Sequence, residues 1–395
     1  MPSDQSTWLI TAPQDGDSEG LLQELTAKLS QQSKTFPTSS IGQLHIPSFK
    51  TGTLDSLISL SEELPKHDGN FTSVVAKIVE TLRNLLNNDT SKLAQHILIN
   101  EKPLDDYLLK DWRWNEGRYG TQRGLKDMTD ALVKEMTSID NVMKVKLNNY
   151  NIAKGSLAQL RRKETGNLSV RSLADIVSVD DLLQDSEYMQ SVLVAVPKNL
   201  VKIWNSTYER LSPMVVPRSA VSLASDEDYT LFTVIVFRKA YDTFTLKCKE
   251  NKFIVRDFQY SSDQIETERE ALRTADTAER ELWTELLRLS EINFSEAFQV
   301  FVHLKVIRLY VESVLRYGLP ANYIGIAVKP EPKTTKRTLL ALQRHFSYLS
   351  TRSQGFTKSK GGGASANEDF VGEYQSLLDQ EFFAFVLYEI PWVVC

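Results

Sequence analysis

Cysteine is almost absent from this chain: Cys248 and Cys395 are the only two, which supplies neither a disulfide framework nor a metal cluster. Histidine is nearly as scarce. His45, His67, His96, His303 and His345 are scattered without the spacing of metal ligands. No run of roughly eighteen apolar residues occurs, so no segment is expected to span a bilayer. The opening MPSDQSTWLITAPQDGD begins acidic and lacks a basic stretch followed by an apolar core, so no secretory signal is expected. A strong charge of one sign is missing as well. The 46 Lys/Arg against 51 Asp/Glu give a net charge of −5, with no overall bias toward nucleic acid or an acidic membrane. The expectation is a cytosolic chain. On that expectation the sequons at Asn70, Asn88, Asn167, Asn205 and Asn293 are chance matches, because glycosylation acts in the secretory lumen.

What the sequence does contain is a rod. From Thr121 to Lys163 there is no proline, and Leu125, Met128, Leu132, Met136, Ile139, Met143, Leu147 and Tyr150 recur at steps of three and four. That spacing predicts one helix with a narrow apolar stripe, roughly 65 Å long. A lone helix of this kind is unstable in water until the stripe is covered. A partner follows Ser262, where Ile265, Leu272, Ala275, Leu282, Leu286 and Leu289 fall mostly at heptad-like steps. The two stretches have opposite charge: nine Lys/Arg and four Asp/Glu in 121–163, against four Arg and eight Asp/Glu in 262–290. Lateral pairing is therefore favoured. The arrangement predicted is an antiparallel neck; the alternative is two ordinary helices of one all-helical domain.

Bodies are expected at both ends of the neck. Trp8 to Ala12 reads as a strand, 19–30 as a helix, and 37–52 as loop with one short strand. Thr53 caps a helix that Pro65 should stop. Asp68 or Asn70 then starts another, with Phe71, Val74, Val75, Ile78, Val79, Leu82, Leu85 and Leu86 on a broad apolar face. A short helix is expected near Leu104–Leu109, and Trp112, Trp114 and Tyr119 mark the point where the long helix leaves the first body. SVLVAVPK and YTLFTVIVFRK, β-branched and aromatic throughout, read as central strands, with helices over 199–211 and 240–250 and a further strand in KFIVRDFQYS. Beyond Glu291 an apolar helix runs to Gly318-Leu319-Pro320; YIGIAVKP is a strand, 334–349 a helix and EFFAFVLYEI a closing strand. Isolated edge strands are marginal, so the first and last strands are expected to share one sheet. The fold class is α+β, an elongated dumb-bell with a globular head and foot. Its segments are a foot from 1–115 and 291–395, an outgoing neck helix 116–165, a head 166–261 and a return helix 262–290.

The sequence offers little chemistry. GFTKSKGGG lacks the order and setting of a phosphate loop, and 351–367 reads as a flexible loop. His303 lies in an apolar helix and reads as a satisfied buried histidine; Cys248, between Lys247 and Lys249, reads as packing. Glu62 and Glu63 are helix neighbours that diverge by about 100° and share no site. Arg161, Arg162 and Lys163 read as helix-terminal cations with Gly166 as the cap. Trp112, Trp114, Trp204, Trp283 and Trp392 are either core residues or interface anchors, and Arg171, Arg256 and Arg316 are boundary candidates. No catalytic, cofactor-binding or metal-binding residue is predicted.

Longer segments carry a resemblance. IPSFKTGTLDSLISLSEEL at 46–64, TGNLSVRSLADIV at 165–177, LVAVPKNL at 193–200, KFIVRDFQYS at 252–261 and VIRLYVESVLRYGLP at 306–320 together resemble the C subunit of the eukaryotic vacuolar-type proton ATPase, V-ATPase, in a fungal member. The resemblance covers nearly the whole chain. It implies a non-catalytic stator component of the V1 sector, without cofactor, in a pump that drives protons into vacuoles. The head would be held by one peripheral stalk made of the E and G subunits. The foot would meet a second E–G stalk and the cytosolic domain of the membrane-bound a subunit. It further implies a place at the cytosolic face of the vacuolar membrane and a part in reversible assembly of V1 with Vo. Two other classes stay open: an actin-binding cytoskeletal adaptor acting away from the pump, and a stand-alone enzyme.

Overall fold

The computed structural model describes residues 3, 5–13, 18–32, 40–173, 176–183, 186–258, 262–331, 334–349 and 383–392. The GFTKSKGGG segment, the 351–367 interval and Cys395 lie outside them. In chain order the elements are β1 (Ser6–Pro13), α1 (Ser18–Gln32), β2 (Ile41–Leu44), α2 (Leu54–Leu85), α3 (Thr90–His96), β3 (Leu98–Ile99), β4 (Lys102–Pro103), the single turn α4 (Leu104–Asp106) and α5 (Leu125–Thr165). There follow β5 (Met189–Pro197), α6 (Val201–Thr207), β6 (Val221–Ser225), β7 (Tyr229–Phe237), α7 (Tyr241–Glu250), β8 (Ile254–Arg256), α8 (Ser262–Tyr317), β9 (Tyr323–Val328), α9 (Thr335–His345) and β10 (Val386–Pro391). The class is α+β. The chain divides into two compact units, one of Met1–Lys146 with Leu286–Cys395 and one of Leu147–Glu285.

The first unit is built on an antiparallel sheet of order β10-β1-β9-β2. The first and last strands do pair, with Leu9 opposite Tyr388. Strand β1 is buried along almost its whole length, because both faces are covered. On one face Trp8, Ile10 and Ala12 pack with Leu25 and Leu29 of α1 and Leu339, Leu342 and Phe346 of α9. On the other, the Thr11 hydroxyl bonds that of Ser313 on α8. Within this unit α8 is buried on nearly every side, and Phe294, Phe298, Phe301, Leu304, Ile307, Leu309 and Val311 are all in its core.

Two expectations need correction here. Pro65 does not stop its helix; α2 runs through it from the Thr53 cap to Leu85. A proline inside a helix costs about 3 kcal/mol. Against that, Leu57, Leu60, Leu64, Asp68, Phe71 and Val75 bury one continuous face across the break, so tertiary packing outweighs local propensity. Nor is there a break near 290, where the sequence pattern suggests a return helix followed by a separate apolar one. They form the single 56-residue α8, since no glycine or proline interrupts 262–317. The short helix at 104–109 is one α turn continued by a π turn over Tyr107–Asp111.

In the second unit an antiparallel sheet of order β6-β7-β5-β8 puts the two apolar runs at its centre, as their composition predicts. Val192, Val194 and Val196 face Trp204 of α6 and Phe244 and Cys248 of α7. The alternate residues Leu193 and Ala195 pack with Leu168, Leu173 and Val177, which follow α5. Edge strand β6, VSLAS, carries no clear strand signal in its sequence.

Candidate functional site, anchored long helices

In the first unit a cluster of rings fixes the segment that leads into α5. Trp112 and Trp114 are buried, not interface anchors, and they lie around His303 of α8 with Tyr119. His303 is hydrogen-bonded at both nitrogens. Its Nδ1–H donates to the Gln299 carbonyl at 2.6 Å, and its Nε2 accepts the Asn115 N–H at 3.1 Å. Only a neutral ring can do both. Burial, with Arg118 nearby, moves its pKa from 6.5 down to about 4. Trp114 Nε1 donates to the Tyr119 carbonyl at 2.7 Å, and the Tyr119 hydroxyl donates to Glu135 in the first part of α5. Arg118 pairs with the same carboxylate at 2.7 Å. Burial, then the Glu135 bond, raises the Tyr119 pKa. Phe49 closes the cluster edge-on to Trp114 and Tyr310, and the Tyr310 hydroxyl donates to its carbonyl at 3.2 Å. The start of α5 is thus keyed to α8 through the histidine that sequence reasoning places in a core.

A short way along α8 stands a buried ion triad. Lys305 Nζ lies 2.9 Å from both oxygens of Asp68 on α2, and Arg308 contacts Asp68 Oδ2. Burial lowers the Lys305 pKa, although Asp68 works in the other direction. The Arg308 guanidinium also lies 4.2 Å from the Tyr388 ring centroid on β10. Further on, Arg316 donates to the carbonyls of Phe383 at 3.0 Å and Phe385 at 3.2 Å and pairs with Glu312 at 3.0 Å. Residues 303–316 of α8 therefore hold the 112–119 loop, α2 and the last strand at once. Sequence reasoning missed Asp68 and Lys305. The available signal was a charged residue on the buried face of each helix.

The second unit anchors the other end of α5. Arg161 pairs with Asp276 at 2.6 Å, and Asp276 also takes Arg280 at 2.9 Å. Tyr150 is hydrogen-bonded to Glu279, and burial together with that bond raises its pKa. Contacts of 150 with 279, 161 with 276 and 172 with 268 run in opposite chain directions, so α5 and α8 are antiparallel in this unit. The Gly166 N–H closes the end of α5 on the Arg162 carbonyl at 3.0 Å. Arg256 then donates to the Ser169, Val170 and Arg171 carbonyls, while Asp226 accepts the Leu168 N–H at 2.6 Å and the Tyr229 N–H at 2.5 Å. Burial opposes ionisation of Asp226, but these backbone donors prevail and its pKa is lowered. Among the apolar side chains this unit exposes are Tyr188, Met214 and Phe237, on segments joined by the Arg238 N–H on the Tyr188 carbonyl and the Phe237 N–H on the Met214 carbonyl.

The residues suspected of chemistry do not converge. Glu62 is exposed; His45 is exposed; His67 is half-buried; His96 pairs with Glu291; and His345 meets Lys28. Cys248 is fully buried, which pushes its thiol up to about 12. Among the described residues no group of three or more His, Cys, Asp and Glu could hold a metal, and no helix is long and apolar enough to cross a membrane.

The family of the V-ATPase C subunit matches residues 7–386. The chain is 37% identical to the V-type proton ATPase C 1 subunit of Xenopus laevis and 38% identical to the C 1-A subunit of Danio rerio, in each case over 97% of both chains. The chain belongs to the V-ATPase C-subunit family. A solved structure of the cytoplasmic N-terminal domain of the V-ATPase I subunit, a homolog of the a subunit, aligns over 86% of this chain and 97% of that one, at 13% identity and a TM-score of 0.36, too low to equate the folds. For a V-ATPase C subunit the absence of converging catalytic groups poses no puzzle.

Proposed function

We propose that this C subunit is a stator component of the pump. It bridges the E–G peripheral stalks and the cytosolic domain of the a subunit, at the cytosolic face of the vacuolar membrane. The family match over residues 7–386, with relatives covered end to end, carries this reading. As a component of an ATP-driven pump the chain is not itself an enzyme.

Mechanics supports the reading. Rotation driven by ATP hydrolysis exerts an equal counter-torque on the static parts, so a bridge must resist bending and shear. Helices of 41 and 56 residues, about 60 and 85 Å long, supply stiff elements. They serve that purpose only with fixed ends, which the His303 cluster, the Asp68 triad and the Arg256 clamp provide. We assign the unit of both termini to the foot, facing the a subunit and one stalk, and the unit of the inner sheet to the head, facing the other stalk. The Tyr188, Met214 and Phe237 surface is the head's proposed E–G contact.

Several modest interfaces engaged together hold by effective concentration and loosen sharply when one is lost, which suits reversible assembly of V1 with Vo. The test is complementation in cells lacking their own C subunit. The full chain should restore ATP-dependent acidification of vacuolar vesicles and co-purify with the E, G and a subunits; Tyr188→Glu should weaken the stalk co-purification. Association with actin filaments alone, without E, G or acidification, would favour the adaptor reading instead.

A further inference from the structure

We propose that the outward face of α9 docks onto an anionic phospholipid surface. Inward, the helix is fixed by Leu339 and Leu342, which pack with Trp8 and Ile10 of the terminal sheet. Outward it shows Lys336, Arg337, Leu340 and Arg344, all of them exposed. Leu340 is 51% exposed, with Lys336 one turn before it and Arg344 one turn after, the spacing that puts side chains on one face. No Asp or Glu occurs in 334–349. On α1, which packs beside α9, Glu24 is already taken up by Lys28 at 2.6 Å, and Lys28 Nζ also meets His345 at 3.1 Å. Among the described residues Lys336, Arg337 and Arg344 take part in no ion pair. In a chain of net charge −5 this face is therefore a local and uncompensated positive patch.

The mixture of charge and apolar surface selects the partner. A bilayer with anionic headgroups offers phosphates at the level of the three cations and, just beneath, an acyl layer for the leucine between them. An acidic polypeptide would pair the cations but gives Leu340 no apolar layer to enter. Tyr348, 43% exposed just beyond the helix, belongs to the residue types that settle at headgroup level. Because α9 is already folded and held on the sheet, docking orders no backbone, unlike the binding of a segment that must first become helical. Each cation near an anionic surface contributes about fivefold in affinity, and partial burial of the leucine about tenfold.

Flotation of the full chain with vesicles tests this without any other subunit, so its failure is distinct from failure of the stator reading. At about 0.1 M salt, vesicles of phosphatidylcholine with phosphatidylserine should bind the chain at least about tenfold more tightly than phosphatidylcholine alone, and most of that difference should vanish at about 1 M salt, where screening acts within about 3 Å. Lys336→Ala, Arg337→Ala and Arg344→Ala together should weaken anionic binding about a hundredfold, and Leu340→Ala about tenfold. Lys66→Ala, Lys77→Ala and Arg83→Ala together remove the same charge from exposed positions of α2 in the same unit and should change binding by less than about twofold. All of these side chains are exposed, so the urea midpoints should stay close to that of the unsubstituted chain. Equal loss in the two triple variants would overturn the proposal, as would a Leu340→Ala chain that binds like the unsubstituted one. So would tighter binding to polyglutamate than to the anionic vesicles, which would give the face to an acidic protein.

Discussion

Acidification should loosen the foot through His303. The folded ring holds a pKa of about 4 against an ordinary 6.5, because burial, with Arg118 nearby, disfavours the charged form by more than the bond to the Gln299 carbonyl favours it. The direction follows from proton binding. Between those two values the unfolded chain binds a proton that the folded chain refuses, so stability is full above the unfolded pKa and is lost as pH falls through it toward the folded one. The complete effect is about 3 kcal/mol, of which about 2 kcal/mol is gone by about pH 5. Many other groups titrate over the same range, so the useful quantity is a difference between proteins. Wild type and His303→Gln are unfolded in urea, followed by tryptophan fluorescence from Trp112 and Trp114 beside the ring. The variant is less stable at about pH 7.5, and the gap between the two should shrink by about 2 kcal/mol at about pH 5. A gap that stays constant with pH would refute the neutral, doubly bonded histidine.

Other perturbations separate the remaining anchors. Asp68→Ala leaves Lys305 and Arg308 without their carboxylate and should cost about 3–5 kcal/mol in urea unfolding; joining it with Lys305→Met should recover part of the loss. Gly42→Ala puts a methyl group onto the Leu109 carbonyl, where β2 meets the π turn, and should cost about 1–3 kcal/mol. Gly155→Ala, in mid-helix of α5 with nothing near its new methyl, should instead stabilise by about 0.5–1 kcal/mol. Arg256→Ala frees the 169–171 carbonyls, and amide hydrogen exchange should rise in 167–172 while the centre of β5 stays protected; unchanged exchange would remove the clamp.

Local pattern made much of the fold legible. The stripe from Leu125 to Tyr150 predicts a helix within a few residues of its observed ends, and the unbroken runs in β5 and β7 mark the centre of a sheet. The closing strand's composition leads to its pairing with β1. What stays hidden depends on contacts far apart in sequence. Pro65 looks like a stop until the buried face on either side of it is seen to continue. Ser290 to Asn293 look like a boundary because the apolar pattern widens there, yet the backbone has no reason to break. Asp68 meets Lys305 across 237 residues, and no local period reports such a pair. The 112–119 loop shows both cases: its rings announce a junction, but only the fold shows that they close on His303.

The most direct measurement is a calorimetric titration of the full chain with a folded E–G heterodimer. A stator component predicts saturable binding with a defined stoichiometry, weakened by Tyr188→Glu and insensitive to Gly155→Ala. No heat of binding at any accessible concentration, with both proteins folded, would contradict the stator account.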